Sequence, residues 1–348
     1  MKTDRRKFIR NTTVAGLGLG LATSGFPLYS GNLFQQGGRI GMIGLDTSHV
    51  IAFTKAINQS GRPEFDGFKI TAAYPTDGSA DLPSSIDRIE GFTNQVRDMG
   101  VKIVGSIDEL LKEVDVVLLE SVDGRRHLKE AIPVLKAGKR LFIDKPVSND
   151  LPGAIAIYDA AKKYNTPVLS SSSTRFAPAS VEIAKGKESI GKVMGATTYG
   201  PAEVAIGHID MANYGIHGIE SLFTLMGPGC KEVTRVSTPT GEVLTGRWDD
   251  DRLGVFYATP KGGKAVFGGT VHGSKGVEAN IKILDGYDPM LVEVVKFFKT
   301  GNLPVSNEET LEIFAFMEAA DRSKEKGGVT VSLDQVMQEG KRKAKTLV

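Results

Sequence analysis

Short apolar segments alternate with segments of helical spacing through the first half of the chain, and this alternation restricts the fold more than any other feature. The apolar segments, each typical of a buried strand, are 39–44, 68–74, 101–103, 115–119, 140–144 and 167–170. The segments with helical spacing between them are 50–58, 84–99, 107–113, 127–137 and 151–164. Strands joined by helices form right-handed crossovers within one parallel sheet. The alternation therefore predicts a doubly wound parallel sheet with helices on both faces.

Strands dominate the pattern after about residue 175. Strands are predicted over 193–199, 232–237, 252–258, 264–271 and 279–284, and helices over 180–186, 211–226, 290–300 and 307–325. This order is typical of an α+β domain with a mostly antiparallel sheet. A chain of 348 residues suits about two domains. We therefore place a first domain at 37–172 and a second at 173–348, with ligand binding expected between them.

The first 36 residues differ from the rest in charge and composition. Five basic residues stand within the first ten positions, including the pair Arg5-Arg6, and a Gly-rich, moderately apolar stretch follows over 14–28. This layout is typical of a secretory signal. The pair, followed by Lys-Phe-Ile, resembles a twin-arginine signal, although Asp4 stands where such signals usually carry Ser or Thr. We predict that residues 1–36 are a signal peptide and linker for the twin-arginine export machinery, and that the protein is periplasmic.

Charge and cysteine content exclude several classes of function. The formal net charge is only +2, and the body of the chain shows no basic face of the kind that nucleic-acid binding requires. The single cysteine, Cys230, excludes an internal disulfide and a thiolate metal site. The spacing of His208, Asp210, His217 and Glu220 matches no recognised ligand pattern, so we predict that the protein has no metal site.

The turn after the first predicted strand reads Gly44-Leu45-Asp46-Thr47-Ser48-His49. A Gly-rich turn at this place, leading into a helix N-terminus, holds the diphosphate of a dinucleotide. Here Asp46 and His49 replace the second and third glycines of that turn. A carboxylate repels a diphosphate unless it is turned away, whereas His49 is able to donate to phosphate. The second strand ends without the acid that would distinguish NAD from NADP.

Four further motifs follow in order. They are Leu-Lys-Ala-Gly-Lys-Arg-Leu-Phe-Ile-Asp-Lys-Pro at 135–146, Thr-Arg-Phe-Ala-Pro at 174–178, Ser-Ile-Gly-Lys-Val at 189–193 and Asn-Tyr-Gly-Ile-His at 213–217. In order and spacing they resemble the motifs of the Gfo/Idh/MocA oxidoreductases, from residue 39 to about 285. The resemblance implies a Rossmann-type first domain, NAD or NADP as cofactor, and hydride transfer on a sugar or related polyol. It also implies a homo-oligomer built through the open face of the second sheet.

The resemblance also implies roles for individual residues. Lys145 ends a predicted strand and so points into the crevice where such folds bind ligands; by resemblance it is catalytic. His217 is by resemblance the acid/base, and Asn213 stands one helical turn before it, where the family often has Asp. Asp144 is expected at the nicotinamide ribose. The candidate catalytic residues are Lys145, His217 and Asn213, and the candidate cofactor-binding residues are Gly44, Asp46, Thr47, Ser48, His49, Asp144, Lys145 and Arg175.

These observations favour an exported NAD(P)-dependent oxidoreductase that acts on a sugar or related polyol. We expect it to hold its cofactor tightly, because soluble NAD is scarce outside the cytoplasm. Two alternatives stay open on the sequence. One is a glycoside-cleaving lyase that uses transient redox chemistry at the same site, and the other is a carbohydrate-binding protein that has lost its cofactor. The departures at Asp46 and Asn213 leave room for the lyase.

Overall fold

The computed structural model describes residues 37–259 and 266–347. The predicted signal peptide, with its arginine pair, lies outside the described residues. Among the helices that are described, none is both long and apolar enough to cross a membrane. The described residues form two sheets that follow one another along the chain.

The first sheet is parallel and confirms the doubly wound prediction. Within the described residues it has six strands in the order β3-β2-β1-β4-β5-β6. The strands are β1 (Arg39–Ile43), β2 (Lys69–Tyr74), β3 (Lys102–Ile103), β4 (Val116–Leu119), β5 (Leu141–Asp144) and β6 (Val168–Ser171). β4 and β5 are buried along their whole length, as expected of strands that helices cover on both faces.

The helices of this half connect the strands in the predicted order. They are α1 (His49–Gln59), α2 (Pro83–Ile86), α3 (Ile89–Asp98), α4 (Ile107–Glu113), α5 (Gly124–Lys136) and α6 (Leu151–Lys163). α4 begins where predicted because the Ser106 hydroxyl caps it, accepting a hydrogen bond from the Glu109 N–H. The single helix predicted over 84–99 is instead two short helices, α2 and α3. Ser85, in the first of them, turns its hydroxyl towards Asp46.

The second sheet is mostly antiparallel, as predicted, and only β7 and β10 pair in parallel. Its order within the described residues is β12-β11-β7-β10-β9-β8-β13. The strands are β7 (Val193–Gly200), β8 (Cys230–Thr238), β9 (Gly241–Trp248), β10 (Leu253–Ala258), β11 (Gly268–Gly273), β12 (Val277–Ile281) and β13 (Val331–Ser332). The helices are α7 (Pro178–Ala184), α8 (Gly215–Met226), α9 (Asp288–Thr300), α10 (Asn307–Glu325) and α11 (Leu333–Ala344).

Among the described residues, helices cover one face of the second sheet and leave the other face open. α8 packs on β7 and β10, and α10 packs on β8. Residues such as Phe256 are therefore fully buried, whereas Leu253 and Tyr257 on the opposite face are 53% and 39% exposed. The alternation of buried and exposed side chains along β10 is what a half-covered antiparallel sheet requires.

Three elements, β9, the two-residue β13 and α11, escape the sequence prediction. In β9 and α11 the apolar pattern is weak. In β9 the buried positions are Leu244, Gly246 and Trp248, so a glycine interrupts the apolar alternation. α11 buries only four positions, and its last turn is strongly basic. Both therefore read as polar loops when no tertiary contact is known.

Helix α9 returns to the first half of the molecule. Although it follows the second sheet in sequence, its Phe297 and Phe298 belong to the same buried cluster as Phe53 and Phe68. The Phe68 and Phe298 rings stack with centroids 6.5 Å apart. The core beside β1 and α1 is thus completed by a segment more than 200 residues later in the chain.

Candidate active site

The turn between β1 and α1 is closed by Gly44. Its φ of +85° lies in the left-handed region, and a Cβ at this position would lie 2.5 Å from the backbone nitrogen of Ser121. Only glycine satisfies both conditions. The N–H groups of Gly44 and Leu45 donate to the carbonyls of Tyr74 and Pro75, at 2.9 and 3.2 Å. The turn is therefore fixed against β2, and it directs the N-terminus of α1 into the crevice.

Asp46 is turned into the protein. It is fully buried, and its two carboxylate oxygens accept hydrogen bonds from the Ser85 hydroxyl at 2.6 Å and the Val122 N–H at 3.0 Å. Burial raises the pKa of Asp46 above its usual value. Of its neighbours in the turn, Thr47 accepts from the His49 N–H at 3.4 Å, and Ser48 is exposed. A phosphate at this turn would therefore meet little repulsion from the Asp46 carboxylate.

His49 reaches across the crevice to the end of β5. Its Nδ1 atom lies 2.5 Å from an Asp144 oxygen, and its ring contacts Phe53 and Tyr287, with centroids 5.3 and 4.8 Å away. The other Asp144 oxygen accepts from the Lys145 N–H at 2.9 Å. Burial works to raise the pKa of Asp144, but His49 and Lys145 outweigh it and lower that pKa. Asp144 is ionised, so the proton of this hydrogen bond lies on His49 Nδ1.

The side chain of Lys145 contacts the residues that directly precede α8. Its Nζ donates to the backbone carbonyl of Asn213 at 3.2 Å and lies 5.5 Å from the centre of the Tyr214 ring. Burial lowers the pKa of Lys145, and the carboxyls of Asp144 and Glu120 oppose that effect. Asn213 thus contacts Lys145 through its main chain and not through its side-chain amide.

The hydrogen bonds around His217 define which ring nitrogen carries its proton. Thr174 Oγ1 donates to the His217 carbonyl at 2.7 Å, because a carbonyl only accepts. Ser172 Oγ must then donate its own proton to Thr174 Oγ1, 2.8 Å away. The remaining contact, 2.7 Å from Ser172 Oγ to His217 Nδ1, requires the imidazole to donate. The proton lies on Nδ1, and Nε2 keeps its lone pair.

His217 is neutral at pH 7 in this environment. Burial lowers its pKa well below the usual value, and the nearby charge of Lys145 lowers it further. The ring makes edge contacts with Tyr214 and Phe267, with centroids 5.8 and 5.7 Å away. Asp144 and His49 also act electrostatically on it. The structure thus brings His217, Lys145, Asp144 and His49 to one site, with a free base nitrogen among them.

Arg175 is engaged elsewhere. Its guanidinium donates to Glu220 at 2.6 Å and to Glu309 at 2.7 Å, joining α8 and α10 to the turn after β6. Glu220 also accepts from Ser171 at 3.2 Å. Arg175 therefore lies in a buried ion-pair network, and the cofactor role expected for it stays a prediction.

Glu120 belongs to the site, although sequence analysis did not single it out. It directly follows β4, is only 1% exposed, and neither of its carboxylate oxygens has a hydrogen-bond partner among the described residues. Burial and the carboxyls of Asp144 and Asp46 raise the pKa of Glu120 well above its usual value. The available signal was an acid placed directly after an apolar strand, at the sheet edge where such folds bind ligands.

The other histidine motif does not converge on a site. His208 Nε2 accepts from the Gly124 N–H at 3.1 Å, and Asp210 pairs with Arg235 and Lys324 at 2.8 and 2.7 Å. Neither bonds to His217 or Glu220 among the described residues.

A family model described as "Oxidoreductase family, NAD-binding Rossmann fold" (Gfo/Idh/MocA) matches residues 39–171. These residues run from the start of β1 to the end of β6. No curated protein matches the chain.

Solved structures share the fold across both sheets. A probable dehydrogenase from Thermotoga maritima is 21% identical with a TM-score of 0.71, and the match covers 86% of this chain and 99% of that one. A scyllo-inositol dehydrogenase from Lactobacillus casei is 15% identical with a TM-score of 0.67, covering 86% and 99%. A levoglucosan dehydrogenase, solved with NADH and levoglucosan, is 17% identical with a TM-score of 0.67, covering 85% and 99%. At these identities the likeness shows the fold.

The family match therefore covers the part of the chain that carries Gly44, His49 and Lys145, and the shared fold also covers the part that carries His217. Residues 39–171 match the NAD-binding Rossmann domain of the Gfo/Idh/MocA oxidoreductases, and this match supports an NAD(P)-dependent oxidoreductase.

Proposed function

We propose that this protein oxidises a hydroxyl group of a sugar or related polyol, with NAD or NADP as hydride acceptor. The observation that carries the proposal is the neutral imidazole of His217, with Nε2 free, beside the ammonium of Lys145. A base and a fixed cation at one carbon are what alcohol oxidation needs. Two of the structural neighbours are named as dehydrogenases of an inositol and of levoglucosan.

The residues of the turn fit a dinucleotide. Gly44 closes the turn with a left-handed backbone packed against Ser121, and Asp46 faces inward. The N-terminus of α1 follows this turn, and a helix N-terminus favours an anion. The Gly44 N–H already donates to Tyr74, so Thr47 and Ser48 would hold the diphosphate through backbone and hydroxyl groups. His49 and Asp144 would line the ribose end. A bound nicotinamide would supply the hydride acceptor.

The protein's own groups perform the proton chemistry. Lys145 Nζ, held by the Asn213 carbonyl, orients the oxygen of the substrate and stabilises the negative charge that develops on it. His217 Nε2 accepts the hydroxyl proton, because Nδ1 is already protonated and bonded to Ser172. Tyr214 and Phe267 pack against the ring and keep it in this orientation.

The first test is to purify the folded protein and identify the nucleotide released on acid denaturation, followed by calorimetric titration with NAD⁺, NADH, NADP⁺ and NADPH. Stoichiometric release, or binding of one pair, supports the proposal and identifies the cofactor. A panel of sugars, inositols and anhydrosugars then reports turnover by nicotinamide absorbance. If no nucleotide is released and none binds, the proposal fails and a cofactor-free carbohydrate-binding role takes its place.

We also propose that the protein is exported to the periplasm. The support is the Arg5-Arg6 pair and the apolar stretch after it, which resemble a twin-arginine signal. Replacing both arginines with lysine should retain the protein in the cytoplasm on cell fractionation, and unchanged export would contradict the proposal.

A homo-oligomer formed through the uncovered face of the second sheet is proposed on a different observation. Val236, Leu253 and Tyr257 are apolar and 58%, 53% and 39% exposed, and such a patch marks an interaction surface. Light scattering of the wild type and of Leu253→Glu tests this proposal. A monomeric wild type would overturn it.

A further inference from the structure

We propose that His49, Glu120 and Asp144 bind one divalent metal ion. The inference goes beyond the proposed redox function, and it assigns a second role to His49 and Asp144, which that function places at the ribose end of the cofactor. One ring nitrogen of His49 and one oxygen from each carboxylate all lie within 4.8 Å of one another. The proposal departs from the sequence prediction of no metal site, which rested on the spacing of the residues around His208 and Asp210.

The three side chains come from three rigid elements. His49 is the first residue of α1, Glu120 directly follows β4, and Asp144 is the last residue of β5. In the sheet β4 lies between β1 and β5, so the three groups converge at the carboxyl edge of adjacent strands. Ligands on strand ends and helix termini are held more precisely than ligands on loops.

Glu120 is the observation that points to a missing ligand. Its side chain is 1% exposed, and both oxygens lack a partner among the described residues. Buried carboxylates are normally paired or coordinate a metal. Glu130, another buried acid, follows this rule, since it accepts from Ser121 at 2.7 Å and from Arg126 at 2.9 Å.

The nearest cation does not fill this role. Lys145 Nζ donates to the Asn213 carbonyl, and in the described part of the chain it forms no ion pair with Glu120 or Asp144. The two carboxylates and the imidazole therefore lie together in a buried space. Among the described residues, His49 is the only side chain that bonds to either carboxylate. A divalent cation would neutralise both acids and engage the free oxygens of Glu120.

The donor set indicates the class of metal. One imidazole with two carboxylates suits a first-row ion such as Mn²⁺, Fe²⁺ or Zn²⁺ better than a thiolate-seeking ion. Three protein ligands leave coordination positions open, as in catalytic sites. Lys145 and His217 border the same crevice, so we expect an open position to take an oxygen of the bound substrate or cofactor.

The test is a titration of the full-length protein with Mn²⁺. The electron paramagnetic resonance signal of free Mn²⁺ measures how much ion is bound, and Zn²⁺ serves as the competitor. We expect one Mn²⁺ per chain for the wild type, displaced by Zn²⁺. Glu120→Gln keeps the shape and removes the ligand charge, and we expect it to weaken binding at least tenfold. Glu130→Gln is the matched control and should bind Mn²⁺ as the wild type does. His49→Gln provides a second variant should Glu120→Gln fold poorly.

No binding to the wild type, or equal binding by the wild type and Glu120→Gln, would overturn the proposal and indicate a protonated Glu120 instead. Equal loss in the folded Glu130→Gln variant would also overturn it, because the ion would then lie elsewhere. Nucleotide titrations on the same samples separate this result from the proposed function. NAD(P) binding without Mn²⁺ binding refutes the metal site alone, and the reverse refutes the nucleotide site alone.

Discussion

Ser172 accepts a hydrogen bond from His217, and its Oγ atom lies 2.7 Å from the Nδ1 atom of the imidazole. The Ser172 hydroxyl donates its only hydrogen bond to Thr174 Oγ1, so it is able only to accept from His217. Ser172 is a positioning residue, and it keeps the Nε2 atom of His217 available as a base.

Ser172→Ala should therefore lower kcat by roughly 10-fold to 100-fold, less than the ~10²–10⁴-fold of a deleted general base. The loss follows because the imidazole is then free to exchange tautomers. Nitrogen chemical shifts of His217 should show mixed Nδ1–H and Nε2–H forms in the variant and Nδ1–H alone in the wild type. Ser173→Ala is the control, and identical shifts in Ser172→Ala and the wild type would contradict the assignment.

Replacing either central group should remove turnover without removing the cofactor. We expect His217→Gln and Lys145→Met each to lower kcat by roughly 10²–10⁴-fold, because one loses the proton acceptor and the other loses the cation at the substrate oxygen. Steady-state kinetics and NAD(P)H titration measure the two effects separately. Full activity in either variant would exclude that residue from the chemistry.

The pKa of His217 should respond to Lys145. Burial and then the lysine charge lower this pKa well below the usual value, so the wild-type imidazole stays neutral as the pH falls through 6.5. In Lys145→Met the repulsion of the imidazolium disappears, and the pKa should rise towards the usual value, although burial remains. Histidine proton NMR over pH 4–8 measures the shift. An unchanged titration would show that the two groups do not interact.

Much of this fold and part of this site follow from the sequence. Local sequence patterns predict the strands that are apolar throughout, such as 116–119, and the capped helices, such as 107–113. Gly44, Lys145 and His217 are found through motifs. Glu120 and Ser172 are not, because their significance depends on which strand ends are neighbours. β1 and β4 pair across more than 70 residues, and no local pattern encodes that pairing.

Gly44 should tolerate no side chain. Gly44→Ala combines a left-handed backbone with overlap on Ser121, and we expect a loss of at least about 2 kcal/mol of unfolding free energy. Gly61→Ala is the matched control, because its φ is +67° but nothing lies within 4 Å of the new Cβ. The difference in unfolding free energy between the two variants, measured by urea denaturation, gives the contribution of the steric overlap at Gly44. Equal destabilisation would mean that only the backbone conformation matters.

Arg175 should matter mainly for stability. Arg175→Met leaves Glu220 and Glu309 unpaired, and breaking a buried ion pair costs about 3–5 kcal/mol. Arg247→Met is the control, because that arginine is 43% exposed and pairs with surface acids, which is worth about 0–1 kcal/mol. Urea denaturation measures both. A stable Arg175→Met with weakened nucleotide binding would instead assign the arginine to the cofactor site.

Asp123 should make stability depend on acid pH. Burial opposes ionisation of this carboxyl, but hydrogen bonds from Arg125 and Ser79 lower its pKa from 3.8 to about 2. A depressed folded-state pKa stabilises the protein fully above pH 4, and the contribution is lost as the pH falls towards 2. The free energy of unfolding of the wild type should exceed that of Asp123→Asn by about 2 kcal/mol at pH 6. Near pH 3 the difference should be roughly half as large. A pH-independent difference in urea denaturation would contradict this.

The return of α9 to the first half has a consequence for folding. Three connections run between the nucleotide half and the second sheet: one after β6, one before α9, and one from α9 to α10, which packs on β8. A fragment ending at residue 172 would leave the aromatic surface around Phe53 uncovered. The nucleotide half should therefore not fold stably when it is produced without α9.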